Sequence, residues 1–210
     1  MLFIRGRATE KTRKKRNPLR KKSHILLARY LADQMSVAES LQSHRKAFCL
    51  GNILPDIRPS FLTKKHEFFG TFEEIQEKIR HLVEYDPADG KDRVYWRQFG
   101  EVIHYMADYF TFPHNKTYTG TLIEHGQYEK ALKKNLKTCI KSGEAHSHVE
   151  SAMCFDSLAQ LTEFIKTSHE RYLRKIRNVA EDINYILNVC FQVIQGIFQL
   201  CTRGQLAVAA

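Results

Sequence analysis

The sequence is short of the residues that staple, break or anchor a chain. Cysteines number five, an odd count scattered at Cys49, Cys139, Cys154, Cys190 and Cys201 with no C-x-x-C pair. No disulfide framework is expected, and reduced thiols in apolar helical patterns point to a reducing compartment. Ten glycines and five prolines in 210 residues are too few for a low-complexity or disordered chain. Leu2-Phe3-Ile4 is far shorter than a signal-peptide apolar region, and no run approaches 18 uncharged apolar residues. The expected location is therefore cytoplasmic. Alternating strand patterns and internal repeats are missing, and Trp96 is the sole tryptophan.

What is present is helical periodicity and a lopsided charge. At this length, and with 43% hydrophobic residues, one domain with a substantial core is expected. The net charge of +10 belongs to one end. Residues 1–22 carry a block of Lys and Arg against a single acid, Glu10, while the remainder is close to neutral. Such a like-charge block reads as a disordered tail, with contact to an anionic surface as its functional reading. Residues 23–210 read as one all-α, multi-helix domain.

Helices are expected over about 24–40 from a Ser23 cap, from a Thr71-x-x-Glu74 capping box to Tyr85, and over 93–110 behind Asp92. Further helices are expected from near His125 to Lys141, ending at Gly143, over 155–167, and over 170–202. The last carries an apolar stripe from Ile176 to Cys201, but Asn188, Gln192, Gln195 and Gly196 interrupt it. Core packing is expected rather than a membrane span. Between the first two helices, Phe48–Pro59 is broken by Gly51 and two prolines, which should hold Asp56 in a turn.

The chemistry concentrates in residues 104–129. His104/Asp108 and His125/Glu129 are His-x-x-x-acid pairs, and on a helix such residues lie one above the other, within reach of one cation. His114 follows Pro113 in a loop between them. By helical periodicity His104 and Asp108 point away from the Phe99, Val102, Ile103, Met106 and Phe110 face, so they line either a solvated side or a wet cleft. His24, Asp56 and His66 are further candidates upstream.

With these residues in order, the chain resembles the zinc-dependent phospholipase C family, related to the P1-type nucleases. The resemblance rests on His24 near the first helix, Gly51-Asn-Ile-Leu-Pro-Asp56, His66, His104-Tyr-Met-Ala-Asp108, Pro113-His-Asn115 and His125-Gly-Gln-Tyr-Glu129. It implies zinc ions in a cleft between helices. Asp56, His66, His104 and Asp108 would hold one, and His114, His125 and Glu129 a second. A third would take His24 and a bridging Asp108, with an N-terminal tryptophan that this sequence does not offer. The resemblance further implies a phosphodiester substrate, a phospholipid head group among the options, attacked in line by a metal-bound hydroxide, with Asp56 orienting the water or accepting its proton. Alternatives are a P1-type nuclease-like phosphodiesterase and a non-catalytic metal-binding or interaction module on the same scaffold. No obligate protein partner is implied.

Overall fold

A computed structural model describes residues 18–35, 39–58, 66–85, 91–175 and 178–208. Most of the basic tail, residues 1–17, lies outside the described residues. The described residues contain helices and no strand. In chain order the helices are α1 (Pro18–Gln34), α2 (Glu39–Ser43), α3 (Arg45–Gly51), α4 (Leu54–Ile57), α5 (Phe68–Val83), α6 (Asp92–Tyr109), α7 (Leu122–Ser142), α8 (Leu158–Leu173) and α9 (Val179–Val208). Short 3-10 turns cover Phe112–His114 and Glu144–His146.

Helix α6 is the axis of the fold. From Phe99 to Phe110 every residue is buried, so over that stretch the helix is enclosed on all sides by its neighbours, among them α3, α5 and α9, with α1 beside them. A helix enclosed all round must satisfy its polar side chains internally, and this is what turns His104 and Asp108 inward. The solvated alternative for that face does not hold.

The closest crossing is between α3 and α6. A Cβ on Gly51 would stand 2.0 Å from the Arg97 carbonyl oxygen, and one on Gly100 2.1 Å from that of Phe48. Both glycines are there because the two backbones touch. That contact sets the Asn52 carbonyl against His104, as described below.

Helix α9 is long and apolar enough over Val179–Thr202 to cross a membrane, yet just over half of its most apolar window is buried. It packs on α5, α6, α7 and α8 and contributes Ile183, Ile186, Leu187, Cys190, Val193, Ile194 and Ile197 to the core. It is the core helix expected.

Several boundaries differ from expectation for local reasons. Helix α1 begins at Pro18, so His24 sits in its second turn rather than at its start, and the last residues of the basic block are helical. Proline at the first helical position is pre-organised for this. Glu67 rather than Thr71 precedes α5. The Thr71 hydroxyl lies inside the helix, donating to the Glu67 carbonyl and hydrogen-bonded to the Tyr109 hydroxyl. Asp92 is the first residue of α6 and accepts from Tyr85 rather than capping. The capping box that forms is Thr121-x-x-Glu124, which starts α7 before His125, while Gly143 ends it with φ 82°. Residues 170–173 belong to α8, not to the last helix.

Candidate metal centre

The eight side chains singled out in the sequence come together between α1, α4, α6, α7 and the two segments that carry His66 and His114. Asp108 is their centre. Its carboxylate is buried and lies 3.2 Å from His24 Nε2, 2.8 Å from His66 Nδ1, 3.2 Å from His104 Nε2 and 3.4 Å from His114 Nδ1. Four imidazoles from four segments thus converge on one carboxylate.

Three groups emerge in which each residue offers a ligand atom within 4.8 Å of the others: His24, His104 and Asp108; Asp56, His66 and His104; and His114, His125 and Glu129. His125 Nε2–H donates to Glu129 Oε1 at 2.8 Å, and His114 Nε2 is 3.6 Å from the same oxygen. The helical pair geometry of His104/Asp108 on α6 and His125/Glu129 on α7 is therefore realised. His104 stacks on His24, ring centroids 4.0 Å apart, and its Nε2 is 3.2 Å from His66 Nδ1.

Asp56 lies in the single helical turn α4, where a turn was expected. Pro55 precedes it there, and proline is tolerated in a first helical turn because the N–H it lacks would have no partner in the helix. The side chain is buried, and neither carboxylate oxygen has a hydrogen-bond partner among the described residues; His24 Nδ1 is likewise alone. A buried carboxylate without donors is costly, and a cation is what such a group lacks.

The electrostatics agree. Burial raises the pKa of Asp108, but the imidazoles of His114, His104 and His24 outweigh it and hold the carboxyl well below its ordinary value. Burial opposes charge on His104, yet Asp108, Asp56 and the Asn52 carbonyl together push its pKa up. This cluster stabilises positive charge at its middle. His104 Nδ1–H donates to the Asn52 carbonyl at 2.8 Å, which fixes the ring and turns Nε2 toward Asp108, the arrangement that suits a metal-ligating histidine. Neutral imidazoles with carboxylates form a zinc-type donor set, so the residues present fit that ion.

A family model described as zinc dependent phospholipase C matches residues 23–179. The chain belongs to the zinc-dependent phospholipase C family. No curated protein and no solved structure matches it. The matched span covers all eight clustered residues of this phospholipase C-family chain.

Residues that the sequence did not mark as ligands hold the site from behind. Asp182, on α9, accepts from the Phe112 backbone N–H at 2.9 Å, from Tyr128 at 2.8 Å and from Tyr172 at 2.8 Å. It ties the turn bearing His114 and the residue before Glu129 to the core helix. The signal was available: Asp182 is an acid in line with Ile186, Val189 and Val193, all buried. His169, also buried, meets Asn115 Oδ1 at 3.0 Å and stacks on Phe68 at 4.0 Å. Asn115 in turn donates to the Thr111 and Tyr109 carbonyls, so the Pro113-His-Asn115 motif is clamped on both sides. Trp96 is buried near Phe99 and Phe198 and is absent from the cluster. Nothing among the clustered residues replaces the N-terminal tryptophan of the family pattern.

Proposed function

We propose that this chain is a zinc-dependent phosphodiester hydrolase of the phospholipase C type. The observation that carries the reading is the convergence of eight buried or half-buried imidazoles and carboxylates with Asp108 at their centre. Asp56, His66 and His104 would hold one zinc, and His114, His125 and Glu129 a second. Asp108 would bridge toward His24, where a third ion has only part of its ligand set in this chain. Zinc bound there supplies Lewis acidity: it lowers the pKa of water and neutralises phosphate oxygens.

The protein's own contribution is order and dryness. The Asn52 carbonyl holds His104 Nδ1–H, so the ring presents Nε2 to the centre. Asp182 and Asn115 hold the segment that carries His114. Asp56 offers two oxygens without hydrogen-bond donors, one able to bind and the other to accept the proton that water gives up in attacking phosphorus. The substrate class is a phosphodiester, with a phospholipid as the leading member. The same reading puts the chain in a reducing compartment, supported by five free cysteines.

The test is hydrolysis of bis-nitrophenyl phosphate and of a chromogenic phosphocholine ester, with zinc and with chelator. The proposal expects zinc-dependent release that chelator abolishes. Zinc-loaded, folded protein that releases neither product contradicts it and favours a non-catalytic module.

A further inference from the structure

Helix α7 carries a second surface besides the one facing the metal centre. Its first two residues, Leu122 and Ile123, are 83% and 74% exposed, and the Thr121–Glu124 capping box holds them at the helix tip. Along the same face run Lys130, Lys134, Lys137 and Lys141, all exposed. Ile123, Lys130, Lys134, Lys137 and Lys141 follow one another at steps of seven, four, three and four, the spacing that lines residues up on one side of a helix. No acid interrupts them. Glu124 is engaged in the cap, and Glu129 is buried in the metal centre. Among the described residues none of the four lysines has a carboxylate partner.

We infer that this face of α7 docks on an anionic phospholipid bilayer, with Leu122 and Ile123 entering the interface and the lysine stripe lying along the head groups. The inference rests on the phospholipase reading and names where the lipid surface meets the protein. Charge complementarity argues for an anionic partner. The paired exposed aliphatics argue for lipid over nucleic acid, whose single strands are read by aromatic stacking. His125 lies in the same first turn of α7 as Leu122 and Ile123, while the lysine stripe and the His125/Glu129 pair occupy different faces of the helix.

The test is sedimentation of the full chain with phosphatidylserine-rich vesicles and with pure phosphatidylcholine vesicles. Wild type should pellet with the first far more than with the second. Lys134→Ala/Lys137→Ala should weaken that partitioning roughly 25-fold, about fivefold per lysine. Ile123→Asp should weaken it about tenfold or more. The lysine variant should melt at the wild-type temperature and hydrolyse soluble bis-nitrophenyl phosphate at the wild-type rate. Wild-type vesicle binding by both variants would overturn the inference by assigning binding to the basic residues 1–22. So would lysine variants that lose single-stranded DNA binding while still pelleting with vesicles. Vesicle binding that depends on α7, in a protein without turnover of the soluble ester, would uphold the docking surface and sink the hydrolase reading instead.

Discussion

At Asp56 the cost of function is visible in one side chain. Its carboxylate is buried with neither oxygen hydrogen-bonded among the described residues, so without metal it destabilises the fold. Asp56→Asn removes the charge and should stabilise metal-free protein by on the order of 1–3 kcal/mol. The same substitution should lower hydrolysis of bis-nitrophenyl phosphate by about 100-fold or more, the range for losing a positioned base. Melting in chelator and turnover in zinc read the two effects separately. Asp182 makes a pH prediction. Burial raises its pKa to about 6, against the opposing pull of the Phe112 N–H, Tyr172 and Tyr128. The unfolded value is about 3.9, so the folded state binds more protons between the two. The stability Asp182 contributes is then present at low pH and lost as pH rises through about 6. Unfolding free energy of wild type minus that of Asp182→Asn should fall by on the order of 2–3 kcal/mol from pH 4 to pH 7. His169 has the opposite sign: burial lowers it to about 4, and its contribution is lost as pH falls. Denaturant unfolding of Asp182→Asn and of His169→Gln across this range should show the two slopes of opposite sign.

At the scale of elements, the α3–α6 contact positions the centre. Gly51 and Gly100 let the backbones approach until the Asn52 carbonyl meets His104. Gly100→Ala drives a methyl into the Phe48 carbonyl and should cost about 1–3 kcal/mol. It should also weaken zinc affinity, because His104 loses its fixed orientation; calorimetric titration with zinc checks this. Gly51 was readable as a break in an apolar pattern and Gly100 was not singled out, since a close approach is a property of two segments and cannot be seen in one. The same limit explains the capping boxes. Thr71-x-x-Glu74 and Thr121-x-x-Glu124 match one pattern, and only the second opens a helix, since Thr71 is taken up by Tyr109 from α6. The spacing of His104 with Asp108 and of His125 with Glu129 was legible because it is local. That His24, His66 and His104 share Asp108 was implied only by family resemblance, and the approach of His114 to the same carboxylate was not implied at all. Asp182 went unremarked, and His169 reads from sequence as no more than a surface or structural residue, because their partners are far apart in sequence.

At the scale of the molecule, the fold is a set of helices packed round α6, which is buried on every side from Phe99 onward and carries His104 and Asp108 in its last two turns. Such an arrangement is stable when a cation completes it. Zinc at 100 times its dissociation constant should add about 2.7 kcal/mol per independent site, and chelator should lower the melting temperature correspondingly. The all-α architecture was legible throughout, from periodicity and the lack of strand patterns. The inward turn of the His104/Asp108 face was not, because periodicity alone cannot distinguish a helix with a wet side from one enclosed by neighbours.

The most direct measurement is zinc per chain by elemental analysis in wild type, Asp108→Asn and His148→Ala. His148 stands apart from the centre, near Asn184 and Glu144. The account predicts more than one zinc per wild-type chain, unchanged in His148→Ala and sharply reduced in Asp108→Asn. Wild-type protein without zinc, or equal zinc in the two variants, would contradict it.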